Sequence, residues 1–241
     1  MRPAHRDVLA VLERLNGAFL TRAECFFGGG TRIVLELGEY RETKDIDFLC
    51  ASREGYRLAR ETVSEKSLGP IVTSKISLAR DVRADQYGVR TFLEYDTTRI
   101  KFEIIREARI DLEGERTSFL SVPCLTRRHA FAEKFLANAD RGMDASTLSR
   151  DAVDLAFMIE GWSEADAAEG LAIAKGAYGD AIERELAAVV RKLREDRTYR
   201  NRCIEGLALT DAKALAAGLE TLSRGIAIKQ RTRRAASRAV N

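Results

Sequence analysis

Two aspartates one residue apart, Asp45 and Asp47, stand in the short segment DIDFLC. The alternation of polar and apolar residues predicts a β-strand, in which residues i and i+2 project from the same face. Two neighbouring carboxylates repel each other, and both stay ionised most readily when a positive charge lies between them. A divalent metal such as Mg²⁺ or Mn²⁺ commonly supplies that charge. The alternative is an exposed strand with two solvated acids.

A third acid, Glu103, stands in the otherwise apolar segment IKFEII. Its neighbours Phe102 and Ile104 indicate burial, and an unpaired buried carboxylate costs free energy. A role as a third ligand of the same metal explains its position. The alternative is an inward acid that pairs with an arginine such as Arg99 or Arg106.

A run of three glycines, Gly28, Gly29 and Gly30, precedes Thr31 and ends a short apolar stretch. Glycine lets the backbone approach a ligand closely, and the N–H groups at the start of a helix attract phosphate. The run is neither a Walker A loop nor a GxGxxG motif. Because a predicted helix connects this turn to the Asp45/Asp47 strand, the spacing predicts a triphosphate on the turn and metal on the carboxylates.

Residues 1–123 mix helical and strand patterns and predict an α+β domain with a mixed β-sheet. Helices are predicted over TRIVLELGE, ending near Gly38, and over REGYRLARETVSEKSLG, ending at Gly69-Pro70. Three strands in series, typical of a meander, are predicted at 75–83, 87–95 and 98–106.

Residues 124–225 have helical periodicity and predict a C-terminal helical bundle. The predicted helices are 126–141, 146–160, 164–175, 178–194 and 211–223, with Thr126, Ser146 and Ser163 as N-caps. Residues 226–241 form a basic segment that we expect to be disordered, with phosphate binding as the alternative.

The composition indicates a protein of the cytoplasm. Lys and Arg exceed Asp and Glu by 40 − 37 = 3 residues, which is too small an excess to prove a polyanionic partner. The four cysteines form no CxxC pair, so a zinc site is not expected. Cys25 and Cys50 are expected to be buried, reduced thiols. We expect no signal peptide and no membrane association.

The combination of a glycine turn, a helix, a DxD strand and a lone acid on a later strand resembles the nucleotidyltransferase superfamily related to DNA polymerase β. Two later segments extend the resemblance. AEKFLANADR has a Lys-x-x-Ala-x-x-x-Arg pattern at Lys134 and Arg141, and RDAVDLAFMI has an Asp-x-x-Asp-Leu pattern at Asp151 and Asp154. With these segments, residues 25 to 160 resemble the AbiEii/AbiGii type of bacterial toxin nucleotidyltransferase.

This resemblance implies a nucleotidyltransferase fold and a role for each matching residue. The turn Gly28–Thr31 would hold the phosphates of a nucleoside triphosphate, although the third glycine leaves the register of the turn open by one residue. Asp45, Asp47 and Glu103 would bind Mg²⁺ or Mn²⁺, and Glu103 would help to deprotonate an acceptor hydroxyl. Lys134 would contact the triphosphate and neutralise charge as pyrophosphate leaves.

Asp151 would act near the acceptor or hold Lys134 in place. For each of these helical residues the sequence leaves a structural alternative open. Lys134 could be a snorkelling surface lysine, and Asp151 and Asp154 could simply charge the start of a helix. Arg141 could pair with either aspartate and link two helices.

The resemblance also implies an acceptor and a partner. The acceptor would be the 3′ end of a tRNA, and the toxin would act in phage defence with a cognate antitoxin. Basic residues such as Arg127 and Arg128, and the basic C-terminal segment, offer contacts to RNA phosphates. The alternatives are transfer to a small molecule or a protein hydroxyl, and a catalytically inactive nucleotide-binding relative.

Overall fold

The chain divides into two compact units, which are Met1–Ala130 and Phe131–Asn241 in a computed structural model. The sequence placed this boundary near Pro123. The structure describes residues 1–239, and it describes the side chains of residues 1–225.

The first unit combines helices with one sheet. Its helices are α1 (Pro3–Leu12), α2 (Gly17–Arg22), α3 (Gly29–Glu36) and α4 (Arg53–Glu61). Its strands are β1 (Cys25–Phe27), β2 (Asp45–Cys50), β3 (Ser77–Ala84), β4 (Gly88–Tyr95), β5 (Thr98–Arg106), β6 (Gly114–Glu115) and β7 (Cys124–Leu125).

The sheet has the strand order β3-β4-β5-β2-β1-β7-β6. Strands β3, β4 and β5 pair antiparallel as the predicted meander. Strand β2 then pairs parallel with β5, and β1 pairs antiparallel with β2 and parallel with β7. The predicted mixed sheet in an α+β fold is therefore confirmed.

Strict alternation along the central strands separates a core face from an outer face. On β2, Ile46 and Phe48 are fully buried, whereas Asp45 and Asp47, which alternate with them, are partly exposed. The ring of Phe48 lies 5.6 Å from that of Phe27 and 6.1 Å from that of Phe102. These apolar side chains hold the register, because a slip of one residue would turn them toward the outer face.

The expectation of two reduced thiols at Cys25 and Cys50 is wrong in this structure. The antiparallel register of β1 and β2 places these residues directly opposite each other, with Cα atoms 4.1 Å apart, and the two sulfurs form a disulfide. The sequence could not show this pairing, because it follows from the register of two strands that are separated along the chain.

Helix α4 ends at Glu61, well before the predicted end at Gly69-Pro70. The Thr62 hydroxyl donates to the carbonyls of Leu58 and Ala59, and the following residues form a tight bridge between Ser64 and Ser67. Side-chain bonds of this kind give the backbone an alternative to continuing the helix.

Through residue 239, the remaining helices follow one another without further strands. They are α5 (Arg127–Arg141), α6 (Arg150–Gly161), α7 (Glu164–Tyr178), α8 (Ala181–Glu195), α9 (Arg197–Gly206) and α10 (Ala212–Ala239). The predicted Ser163 N-cap is confirmed, since its side chain accepts from the Asp166 N–H.

Three details of the helical part differ from expectation. Helix α6 begins at Arg150 and not near Ser146, because Leu148 and Ser149 have left-handed φ angles of 53° and 48°. Helix α9 was not predicted. Helix α10 continues through residue 239, into the basic segment 226–241 for which we expected disorder, and residues 240–241 lie outside the described residues.

Through residue 239, no helix is both long enough and apolar enough to cross a membrane.

Substitution Phe102→Ala should lower the free energy of unfolding by about 3–5 kcal/mol, because it removes a buried ring from the sheet core. Urea unfolding measures this change. The control Phe119→Ala removes a ring that is 45% exposed and should change stability by less than about 0.5 kcal/mol. Equal effects of the two substitutions would contradict the assignment of the core face.

Candidate functional site

The glycine turn and the aspartate strand contact each other directly. Gly28 is the N-cap of α3, and its N–H donates to the Asp47 carbonyl over 2.9 Å. Gly29 has a φ of +65°, and a Cβ atom at this position would lie 2.5 Å from Oδ2 and 3.0 Å from Cβ of Asp47. Both the backbone angle and the available space therefore require glycine at position 29.

Thr31 takes part in this turn through its backbone. Its side chain is fully buried, and its hydroxyl lies 2.7 Å from that of Thr43. The backbone N–H groups of the first helical turn, at Gly29, Gly30 and Thr31, have no carbonyl partner within the helix. N–H groups at the start of a helix can bind an anion. The Thr31 hydroxyl instead ties the helix to the following loop.

The three predicted carboxylates share one face of two adjacent strands. In the parallel register of β2 and β5, Asp47 is opposite Glu103 and Asp45 is opposite Lys101. The alternating burial of β2 puts both aspartates on the outer face, and Glu103 lies on the same face between fully buried Phe102 and Ile104.

Glu103 is 9% exposed and contacts two cations. Lys101 Nζ donates to its Oε2, and Arg90 Nε lies 3.3 Å from its Oε1. The sequence alternative of an inward acid paired with an arginine anticipated this kind of contact, but it named Arg99 and Arg106. The register selects Arg90 instead, because Arg90 is the direct β4 partner of Glu103.

The donor chemistry of this cluster fits a hard divalent cation, since all three side chains offer carboxylate oxygens. Among the described residues, however, no group of three or more histidine, cysteine or acidic side chains is already arranged as a metal site. In this structure the Glu103 oxygens face Lys101 and Arg90. For all three acids to bind a metal, the side chain of Lys101 or Arg90 must therefore move away from Glu103, so that a Glu103 oxygen can contact the metal instead.

Lys134 and Asp151 lie in a second cluster, which connects α5 and α6. Lys134 Nζ is 2.9 Å from Asp151 Oδ1 and 2.6 Å from Asp154 Oδ2. Lys134 is 6% exposed, and both aspartates are at most 1% exposed. A snorkelling surface lysine is thus excluded, and the aspartates do more than charge the start of a helix.

Arg141 completes this cluster with two hydrogen bonds to Asp151, of 2.8 Å from Nε and 3.1 Å from Nη2. Burial by itself would raise the pKa of Asp151, but the charges of Lys134 and Arg141 outweigh it and hold that pKa well below its usual range. Asp151 is therefore a carboxylate that orients two cations, which matches the expected alternative of Arg141 as a link between helices.

The structure thus groups the predicted site residues into two clusters. The glycine turn, Asp45, Asp47 and Glu103 form one cluster in the first unit, and Lys134 and Asp151 form the other in the second unit. Lys101 and Arg90 beside Glu103 were missed by the sequence reasoning. Lys101 could have been found, because it lies two residues before Glu103 on the same face of one strand.

Comparisons with known proteins found a matching family and similar solved structures. A family described as the nucleotidyl transferase AbiEii toxin of a type IV toxin–antitoxin system matches residues 10–223. The structure of JHP933 from Helicobacter pylori is similar, with a TM-score of 0.56, 16% identity, and coverage of 98% of this chain and 96% of that chain.

A second Helicobacter pylori structure, described as a candidate nucleotidyltransferase, gives a TM-score of 0.56 at 15% identity and covers 95% of each chain. These two likenesses show a shared fold. No curated protein sequence matches this chain.

Substitution Gly29→Ala tests the contact between the turn and Asp47. We expect a loss of stability greater than the roughly 1–2 kcal/mol that a left-handed φ costs, because the new methyl group also overlaps Asp47. The control Gly38→Ala shares a positive φ, of +80°, but has nothing within 4 Å of the added Cβ. Urea unfolding of both variants measures the difference, and equal losses would show that no steric overlap exists.

Substitution Asp151→Asn should lower the free energy of unfolding by about 3–5 kcal/mol near neutral pH, because it leaves part of a buried charge cluster uncompensated. The control is Asp140→Asn, which changes an exposed acid on the same helix as Lys134. Urea unfolding compares the two variants, and a similar small loss in both would contradict the buried cluster.

The pH dependence gives a second measurement of the same cluster. The pKa of Asp151 is lowered in the folded protein, so its ionised carboxylate stabilises the fold at pH values above about 3.9, the pKa of an aspartate in the unfolded chain. This contribution to the free energy of unfolding is lost as the pH falls below that value. The stability difference between the wild type and Asp151→Asn should therefore be constant from pH 7 to about pH 5 and shrink below about pH 4. A constant difference down to pH 3 would contradict this assignment.

Proposed function

We propose a reaction from one premise: the chain belongs to the AbiEii family of nucleotidyl transferase toxins. It is accordingly a nucleotidyltransferase of a type IV toxin–antitoxin family, and its substrate is a nucleoside triphosphate. We propose that an acceptor hydroxyl oxygen attacks the α-phosphorus, that the bond from this phosphorus to pyrophosphate breaks, and that the acceptor leaves with a nucleoside monophosphate attached. The acceptor proposed is the 3′ end of a tRNA.

The observation that carries this proposal is the contact between the glycine turn and the carboxylate strand. Gly29 abuts the Asp47 side chain, and Asp47 is the register partner of Glu103. The proposed phosphate-binding turn and the proposed metal ligands therefore lie side by side. This is the arrangement that transfer of a nucleotide from its triphosphate needs.

Asp45, Asp47 and Glu103 are the proposed ligands of Mg²⁺ or Mn²⁺. Divalent cations bound there would supply positive charge to the attacking and leaving oxygens. The backbone N–H groups at Gly29, Gly30 and Thr31 would bind the triphosphate through its β- and γ-oxygens.

Glu103 has a second proposed role as acceptor of the proton from the attacking hydroxyl. Its two oxygens are held by Lys101 and Arg90, so the carboxylate has a defined orientation on the outer face of the sheet. A positioned carboxylate of this kind can accept the proton that the hydroxyl loses during attack.

For Lys134 we propose neutralisation of the negative charge on the departing pyrophosphate. Its ammonium group is shared between Asp151 and Asp154, and Arg141 fixes Asp151 from the other side. These contacts support Asp151 as a positioning residue for Lys134. Asp154 is a second positioning residue, which the sequence marked only as part of a motif.

The remaining proposals concern the cellular context. The family supports a cognate antitoxin as a partner, and we propose that the protein acts in the cytoplasm, in phage defence. Transfer to tRNA is supported by three exposed arginines on the outer face of the sheet, Arg80, Arg83 and Arg99, which suit a polyanionic acceptor.

Incubation with labelled nucleoside triphosphates, Mg²⁺ and total tRNA should label the tRNA. We expect Asp47→Asn and Glu103→Gln each to lower the initial rate at least about 100-fold, because each removes a proposed metal ligand and Glu103→Gln also removes the proton acceptor. The control Glu61→Gln changes an exposed acid on α4 and should keep the wild-type rate.

Two results would contradict the proposal. Label on protein or on a small molecule, with none on tRNA, would exclude the tRNA acceptor. Full activity of both Asp47→Asn and Glu103→Gln would exclude the carboxylate site itself. The free energy of unfolding of each variant shows whether a loss of rate reflects a loss of fold.

A further inference from the structure

A basic surface continues from Glu103 across the outer face of the meander. We call it the basic strand face, and it consists of Arg80, Arg83, Arg90, Phe92, Arg99 and Lys101. On β5, fully buried Ile100 and Phe102 point into the core, so the residues alternating with them, Arg99 and Lys101, point outward.

The strand registers align these outward residues in rows. In one row, Arg83 on β3 is opposite Arg90 on β4, and Arg90 is opposite Glu103 on β5. In the next row, Arg80 is opposite Phe92, and Phe92 is opposite Lys101. Each row therefore crosses from the edge strand toward the carboxylate cluster.

The charge of this face is concentrated. Within strands β3, β4 and β5, its five cations share the face with two acids, Glu94 and Glu103, which gives 5 − 2 = +3. On the adjacent strand β2, Asp45 and Asp47 continue the same face and add two negative charges beside Lys101 and Glu103. The whole chain of 241 residues also has a formal net charge of +3. Two further acids near these strands have local partners: Asp81 contacts Lys66 at 2.6 Å, and Asp85 contacts Arg90 at 3.5 Å.

Like charges directly opposite each other destabilise a sheet, so the Arg83–Arg90 pairing has a structural cost. Arg80, Arg83 and Arg99 are exposed, and the side chains of Arg90 and Lys101 keep 36% and 41% of their surface exposed. A polyanion bound across the face would offset this repulsion.

Phe92 adds an aromatic ring to the centre of the cationic face. Its register partners are Arg80 on one side and Lys101 on the other, and the Arg99 guanidinium lies 5.8 Å from its ring centroid. The ring is only partly buried, unlike the neighbouring core residues Thr91 and Leu93. A partly exposed ring between cations is the combination that binds single-stranded nucleic acid by stacking and phosphate contacts.

We propose that the basic strand face binds the single-stranded 3′ end of the acceptor RNA. Phosphates would contact Arg80, Arg83 and Arg99, and a base would stack on Phe92. Because Arg90 and Lys101 contact Glu103, an RNA strand on this face leads toward the carboxylate that accepts the hydroxyl proton. The inference rests on the proposed function, since it identifies where that reaction binds its acceptor.

The test is direct binding of an RNA hairpin with a single-stranded 3′ end, measured over a range of salt concentrations. Arg80→Glu/Arg83→Glu should weaken binding at least tenfold at low salt. It should also make the slope of log Kd against log salt shallower by about 0.7 for each phosphate contact that is lost.

Phe92→Ala should weaken binding roughly tenfold without a change in the salt slope, because it removes stacking and not charge. The matched control Arg53→Glu/Arg57→Glu reverses two exposed charges on α4, which packs against the core face of the sheet. This control should bind the hairpin as the wild type does. Affinity for a labelled nucleoside triphosphate should be unchanged in every variant.

Thermal unfolding checks that each variant is folded, and Arg80→Gln/Arg83→Gln replaces the charge-reversed variant if that one is not. Equal hairpin affinity for the wild type and the folded face variants would overturn the proposal. Equal losses of hairpin affinity in the face variants and in the α4 control would overturn it too. So would a wild-type protein that binds an acidic protein and does not bind the hairpin.

Failure of the proposed reaction would give a different result. If the hairpin binds in a face-dependent way but receives no nucleotide, the basic strand face stands as an RNA-binding surface and the transfer reaction is wrong.

Discussion

The parallel pairing of β2 with β5 is the constraint on which the rest of the site depends. It places Asp47 beside Glu103, where two carboxylates would repel each other. Lys101 on β5 itself and Arg90 on the neighbouring strand β4 offset that repulsion. The same two strands bury Phe48 on their opposite face. Register and charge arrangement are therefore coupled, since a shift that separated the acids would also expose the core.

The glycine turn depends on this constraint as well. Gly29 has a left-handed backbone because the chain must turn from β1 into α3 directly beside the Asp47 side chain. A larger residue would push either the helix start or the carboxylate out of place. The proposed phosphate-binding backbone and the proposed metal ligands are thus positioned by one contact and not by two independent elements.

Electrostatics organise the two units in different ways. In the second unit, Lys134, Asp151 and Asp154 are buried together, so each charge is tolerated only because the others compensate it. On the sheet, by contrast, acids and cations share an outer face that is open to solvent. Strand β5 carries both Glu103 and the cations of the basic strand face, which links the proposed chemistry to the proposed acceptor surface.

The amino-acid sequence alone determined the features that depend on local periodicity. The DxD alternation, the meander and the apolar surroundings of Glu103 were readable because side chains alternate along a strand, and Lys134 and Asp151 were marked by their motifs. Only the tertiary structure decided which residues face one another: Glu103 with Arg90, Cys25 with Cys50, and Lys134 with both aspartates. Those pairings follow from the register between strands and from the packing between helices, which join positions that are distant along the chain and leave no periodic signal in either segment.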